Sequence, residues 1–162
     1  MSRRTAPPKP QRLEAFAPVE KIASTIVLIG SETLAEDLPA SARRVICTAR
    51  YDELYLGDTI SKNELKKFEM LADEINEHRL ADARLQQQLG GEPRDTMVYV
   101  NCKHGRVRSV ITTGLFLMKY GGLTANAAMT RLETARGANW TGSDDATKVR
   151  GWLEGFAREQ AH

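Results

Sequence analysis

A chain of 162 residues fits one domain and is long enough to bury a sizeable core. Its net charge of +2 is that of residues 1–20, where Arg3, Arg4, Lys9 and Arg12 face Glu14 and Glu20; the rest of the chain is neutral overall, which argues against a polynucleotide-binding face. Two cysteines, Cys47 and Cys102, and the lack of an N-terminal apolar signal stretch fit a reducing, intracellular, cytoplasmic setting, and no apolar run approaches the length of a membrane span.

Residues 1–20 carry Pro7, Pro8, Pro10 and Pro18 and read as a flexible, basic, Pro-rich arm, which leaves 21–162 as the folded domain. Within the arm, Arg4-x-x-Pro7-x-x-Pro10 also matches a polyproline ligand for an SH3-like groove. The run from Ile22 to Gly30 predicts a first strand, Ser31 to Asp37 a short helix stopped by Pro39, and Ala40 to Ala49 a second strand centred on Val45-Ile46-Cys47. Cys47 reads as a core residue of that strand. Tyr51 to Ile60 is an acidic loop containing Asp52 and Asp58. Ser61-Lys62-Asn63-Glu64 then has the form of a capping box, and Leu65, Phe68, Leu71, Ala72 and Ile75 recur at helical spacing. From 76 to 95, through Gln86-Gln87-Gln88 and the breaker Gly90-Gly91-Glu92-Pro93, the pattern predicts an extended helix and a loop, either structural or a docking surface.

The densest chemistry follows. Met97-Val98-Tyr99-Val100 is a β-prone run that ends at Asn101-Cys102; Lys103-His104-Gly105-Arg106-Val107 is a short loop; Arg108-Ser109 opens an apolar segment to Tyr120. The order is strand, loop, helix. Backbone N–H groups of such a loop and of the helix's first turn converge on one concavity, which favours an anion. A thiol placed there loses its proton more easily, because the helix N-terminus and the cations Lys103 and Arg106 stabilise thiolate over thiol. Arg108 offers a planar fork to two oxygens of a phosphate and can hold phosphorus in line with the Cys102 sulfur. Gly105 stands where a side chain would obstruct the approach of backbone to an oxyanion. The helix Ser109 to Tyr120 is apolar almost all round, as a central helix is, with Ser109 as its cap and Gly121-Gly122 at its end. Thr124 starts another helix, and Asp144-Asp145 a last one with Val149, Trp152, Leu153 and Phe156 on one face. The elements add up to an α/β fold with a central mixed sheet of about four to five strands flanked by helices and a strand-loop-helix phosphate-binding loop.

Cys102, five residues, Arg108 and Ser109 resemble the Cys-x5-Arg protein tyrosine phosphatase superfamily, whose signature is His-Cys-x5-Arg-Ser/Thr; Asn101 stands where that family carries His. Ile29-Gly30-Ser31, the Leu115 to Met118 run and Arg136-Gly137 are similar to the dual-specificity phosphatase subclass, so that the likeness covers about residues 22–158. The resemblance implies a metal-free and cofactor-free hydrolysis of phosphotyrosine and phosphoserine or phosphothreonine in phosphorylated proteins through a phosphocysteine. In it Cys102 is the nucleophile, Arg108 and the backbone N–H groups of Lys103, His104, Gly105, Arg106, Val107 and Arg108 bind the phosphoryl oxygens, and Ser109 assists departure of the thiolate. The acidic loop is where the resemblance seeks a general acid; Asp58, just before the helix, is the choice and Asp52 the alternative. The gap from Asp58 to Cys102 is longer than in compact members. Cys47 has a second reading, as a thiol that forms a disulfide with oxidised Cys102.

Other readings use the same residues. Zinc binding by Cys47, Cys102 and His104 lacks paired Cys-x2-Cys spacing, and His104 reads as a side chain at the pocket rim. Cys-x-His-Gly-x-x-Arg also resembles phosphatases acting on the 5′ end of RNA, a reading that the neutral body of the chain weighs against. Low-molecular-weight tyrosine phosphatases place the motif near the N-terminus, and rhodanese-like chemistry does not call for the Arg and the hydroxyl. Asn101, which brings no imidazole, supports a binding protein that captures phosphorylated partners without turnover; the intact Cys102, Gly105, Arg108 and Ser109 oppose it.

Overall fold

The Val- and Ile-rich runs pair into one sheet, and the apolar helices pack on it. The computed structural model describes residues 18–22, 25–31, 38, 40, 42–47, 62–91 and 96–161. In chain order these form β1 (Pro18–Ile22), β2 (Thr25–Ser31), β3 (Arg43–Ile46), α1 (Lys62–Leu89), β4 (Thr96–Cys102), α2 (Arg108–Gly121), α3 (Ala125–Arg136) and α4 (Asp144–Gln160). The fold is α/β. The sheet order is β1-β2-β4-β3, with β4 paired in parallel to both β2 and β3 and β1 antiparallel on the outer side of β2.

Some boundaries differ from the sequence pattern for local reasons. β1 takes in Pro18 to Glu20, which composition assigns to the arm; a proline is tolerated as the first residue of an edge strand, where a missing N–H costs the ladder least. β3 is only four residues long, and Cys47 lies just beyond it. The short helix expected between Ser31 and Asp37 lies outside the described residues, except that Ser31 closes β2.

β4 is central because both its faces are covered. Val98, Val100 and Cys102 point to one face with Val27 and Ile29 of β2 and Val45 of β3. Against that face α1 lays Leu65, Phe68, Leu71, Ala72 and Ile75, and α2 lays Val110, Ile111, Leu115, Phe116 and Leu117, all buried. Each of these side chains apart from Ala72 contributes about 1.5–3 kcal/mol through burial. α2 is buried on every side from Ser109 to Leu117, since α1, α3 and α4 also pack against it. Gly114 allows the approach of α4: a Cβ there would stand 2.7 Å from the Leu153 Cδ2 methyl. Phe68 and Trp152 close the layer edge to face, 5.2 Å between ring centroids.

α1 buries nothing beyond Ile75 and continues as an extended helix to Leu89, where Gly90 and Gly91, both at positive φ, end it. An Arg43–Asp82 pair at 2.8 Å ties this extension to β3. Among the described residues no helix is long and apolar enough to cross a membrane.

Candidate active site

In open parallel sheets, ligands gather outside the carboxyl ends of the strands. Here β2, β3 and β4 bring Ser31, Ile46 and Cys102 to the same edge of the sheet. Cys102, the last residue of β4, faces the core side of the sheet and is 5% exposed. The chain then turns through 103–107 directly into α2, so the sulfur sits at the start of that helix.

The sulfur collects donors from both ends of the loop. Ser109 Oγ is 3.3 Å from Cys102 Sγ, and the Gly105 N–H donates to the same sulfur at 3.3 Å. Burial alone would raise the Cys102 pKa, yet the Ser109 hydroxyl and the backbone N–H groups of Ser109, Gly105 and His104 outweigh it and hold the thiol below its ordinary value. Hydrogen bonds hold the thiol down, where the residue pattern emphasises side-chain cations. Lys103 and His104 carry exposed side chains, and His104 acts on the sulfur through its backbone.

Ser109 corrects one expectation. It does not cap α2: the cap residue is Val107, which offers no side-chain hydrogen bond to the helix. The Ser109 hydroxyl is turned to sulfur instead. First-turn N–H groups of α2 are therefore left to the loop concavity. The carbonyls of this turn have other partners, Thr112 Oγ1 donating to Arg108 O at 2.9 Å and Thr113 Oγ1 to Ser109 O at 2.8 Å. Arg108 is half-buried at the head of the helix, and among the described residues no carboxylate is ion-paired with it.

The loop rests on β2. Gly105 has φ +71°, and a Cβ on it would stand 2.5 Å from the carbonyl carbon of Gly30 and 2.7 Å from its oxygen. Only glycine fits, and the neighbour is backbone that cannot swing aside. Gly30 is itself pressed against the Tyr99 ring, whose hydroxyl donates to Ser31 O at 2.5 Å, and Arg136 Nη1 donates to Ile29 O at 3.2 Å. On its other flank Arg106 is gripped by Trp140 Nε1, which donates to its carbonyl at 2.8 Å, and by Asp145 Oδ2, 2.5 Å from its Nε. Arg106 thus spends its side chain on Asp145 rather than on the concavity. Val107 packs against the core.

Asn101 is fully buried on the opposite face of β4 from Cys102. Its Oδ1 accepts from Arg44 Nη2 at 3.1 Å and Nε at 3.4 Å, while its Nδ2 finds no partner among the described residues. Cys47, one residue beyond the partner of Asn101 in the β3–β4 register, is fully buried in the core cluster, with its sulfur 3.5 Å from Thr112 Oγ1. Burial pushes its thiol up to about 12, with the Cys102 charge adding to the rise.

Cys102, Gly105, Arg108 and Ser109 are thus brought together by one local strand-loop-helix unit. Asp58 and its alternative Asp52 lie outside the described residues. Gly30, Arg136, Trp140 and Asp145, which support the loop, are absent from the sequence-level site because they reach it from segments remote in the chain, and Tyr99, in β4 itself, is absent because its partner, Ser31 O, is remote. One signal was available: Trp140 stands in the otherwise small and polar run Gly137-Ala138-Asn139-Trp140-Thr141-Gly142, and a lone Trp in a turn calls for a buried anchor with a partner for its N–H. No family model matches the chain, and no curated protein matches it in sequence.

Proposed function

We propose that the chain is a cysteine-dependent phosphatase, similar to the dual-specificity subclass of the Cys-x5-Arg superfamily, acting on phosphorylated proteins. The observation that carries this reading is a buried sulfur at a helix start that receives a hydroxyl and several backbone N–H groups, which is the environment of a thiolate nucleophile. In the proposed reaction the Cys102 thiolate attacks phosphorus, the S–P bond forms and the P–O bond to the leaving group breaks. Arg108 and the loop N–H groups bind the equatorial oxygens as charge spreads onto them. Asp58 protonates the departing oxygen and then removes a proton from the water that hydrolyses the phosphocysteine. Ser109 donates to the sulfur as it leaves as thiolate. The loop and α2 together form the phosphate-binding element beside the sheet.

The test is hydrolysis of para-nitrophenyl phosphate and of phosphopeptides, in EDTA with a reducing agent. Wild type is expected to turn over, Cys102→Ser to be inactive, and Arg108→Lys to lose on the order of 100-fold or more, because an ammonium cannot reproduce the bidentate fork. Wild type inactive on every monoester would overturn the reading. Release of phosphate from a 5′-triphosphorylated RNA would then favour the RNA-end alternative. Stoichiometric capture of a phosphopeptide without turnover would favour the binding protein, with Asn101 as the residue to explain.

A further inference from the structure

The segment between α3 and α4 holds the loop by a single residue. Trp140 is 1% exposed, with its ring inside the core cluster, while Asn139, Thr141 and Gly142 around it are exposed. Its indole N–H is spent on the Arg106 carbonyl at 2.8 Å, and the Arg106 guanidinium is in turn held by Asp145 in the first turn of α4. One residue of the loop is therefore fixed twice, by its backbone and by its side chain, from the same part of the fold.

Fixing that carbonyl has a geometric consequence. The peptide is planar and trans, with no cis bond among the described residues, so the C=O of Arg106 and the N–H of Val107 point in opposite directions. With the carbonyl tied to the core-anchored indole, the Val107 N–H is aimed away from it. A half-turn of this one peptide would remove a donor and substitute a carbonyl dipole, which repels an oxyanion. That turn is a rotation about ψ of Arg106 and φ of Val107, and the Val107 side chain makes no helix-capping hydrogen bond that would hold it.

We propose that Trp140 is a positioning residue: its indole N–H latches the 106–107 peptide with the Val107 N–H directed at the bound phosphoryl group, and thereby sets the oxyanion affinity of the site. The proposal rests on the phosphatase reading above. Asp145 assists through the Arg106 side chain, with a smaller effect because that pair is part-exposed. The sulfur is served by other donors, from Ser109, Gly105 and His104, so the latch governs phosphate binding and leaves the thiolate alone.

The test compares wild type with Trp140→Phe, which keeps an aromatic ring and deletes the donor, and with Asp145→Asn. Three readouts are taken: the dissociation constant of inorganic phosphate, KM and kcat for para-nitrophenyl phosphate, and the rate of Cys102 alkylation by iodoacetamide. In Trp140→Phe the phosphate dissociation constant and KM are expected to rise about tenfold, the loss of one net hydrogen bond, with alkylation unchanged. Asp145→Asn is expected to raise them about twofold. A Trp140→Phe variant with wild-type phosphate affinity overturns the proposal, and so does one in which phosphate affinity and alkylation fall together, since that is general loosening. In wild type, the Trp140 indole N–H resonance, assigned from its through-space contacts to the 106–107 backbone protons, is expected to move on titration with inorganic phosphate while that of Trp152, buried without a partner among the described residues, stays. If Trp140→Phe does not fold, that titration decides: a still Trp140 resonance overturns the latch. Wild type that binds phosphate without turnover removes the phosphatase reading alone and leaves the latch to be judged by affinity; wild type that does neither removes both.

Discussion

Two cysteines end neighbouring parallel strands on one face of one sheet, and their thiols are driven in opposite directions. Cys47, after β3, is walled in by core with a single Thr112 hydroxyl at hand, and burial raises its pKa to about 12. Cys102, at the end of β4, is nearly as buried, at 5% exposure against 0%, and is held below its ordinary value. Burial is common to both and opposes ionisation in both. What separates them among the described residues is the donors: β4 runs straight into a loop and a helix whose N–H groups turn towards the Cys102 sulfur, whereas Cys47 meets the Thr112 hydroxyl. Depth alone therefore does not decide the direction in which a thiol is driven; the donors turned to its sulfur do.

The comparison can be broken from the Cys102 side by removing its donors. Gly105→Ala is expected to have the largest effect, since the new Cβ meets the Gly30 carbonyl at 2.5 Å in a backbone region that favours glycine. A loss of phosphatase activity on the order of 100-fold or more is predicted, together with a fall in stability of about 2–3 kcal/mol read by denaturant unfolding. Ser109→Ala removes one donor and spares the backbone; it should raise the pH midpoint of Cys102 alkylation and lower kcat about tenfold, with a burst of leaving group as phosphocysteine accumulates. An unchanged midpoint would mean that the N–H groups alone hold the thiolate.

The other thiol sharpens the contrast. Cys47→Ala is expected to leave activity within twofold and cost about 1 kcal/mol, as a small buried cavity does. A thiol whose pKa is higher folded than unfolded supports the fold fully below the unfolded value. That support is lost as pH climbs from the usual thiol range towards about 12. Wild type should therefore lose stability as pH rises from about 8.5, where an unfolded thiol ionises, towards about 12, and Cys47→Ala should lose less. Cys102 has the reverse sign: its lowered pKa adds stability above the unfolded thiol's value, which fades as pH falls through the folded one. Chemical denaturation across this range separates the two.

How much of this was written in the amino-acid order depends on distance along the chain. Strand, loop and helix from Met97 to Tyr120 are local, so apolar runs, one Gly and a polar break were enough to place Cys102, Arg108 and Ser109 together. The apolar spacing of α1 through Ile75 and the starts of the last two helices, at Thr124, which caps α3, and at Asp144, the first residue of α4, are local as well. The role of Ser109 was only half legible, because a hydroxyl at a helix start suits a cap as well as a sulfur, and proximity to Sγ decided between them. Trp140, Tyr99 and Arg136 could not be assigned to the loop at all: periodicity says which face is buried, and never which remote carbonyl an indole or a guanidinium will meet.

The most direct measurement is the pH dependence of iodoacetamide inactivation in the Cys47→Ala variant, where Cys102 is the one remaining thiol. The donors around its sulfur predict a single titration with a midpoint below that of an ordinary cysteine. A midpoint at or above that value would contradict the account, since burial would then have outweighed every hydrogen bond offered by Ser109, Gly105 and His104.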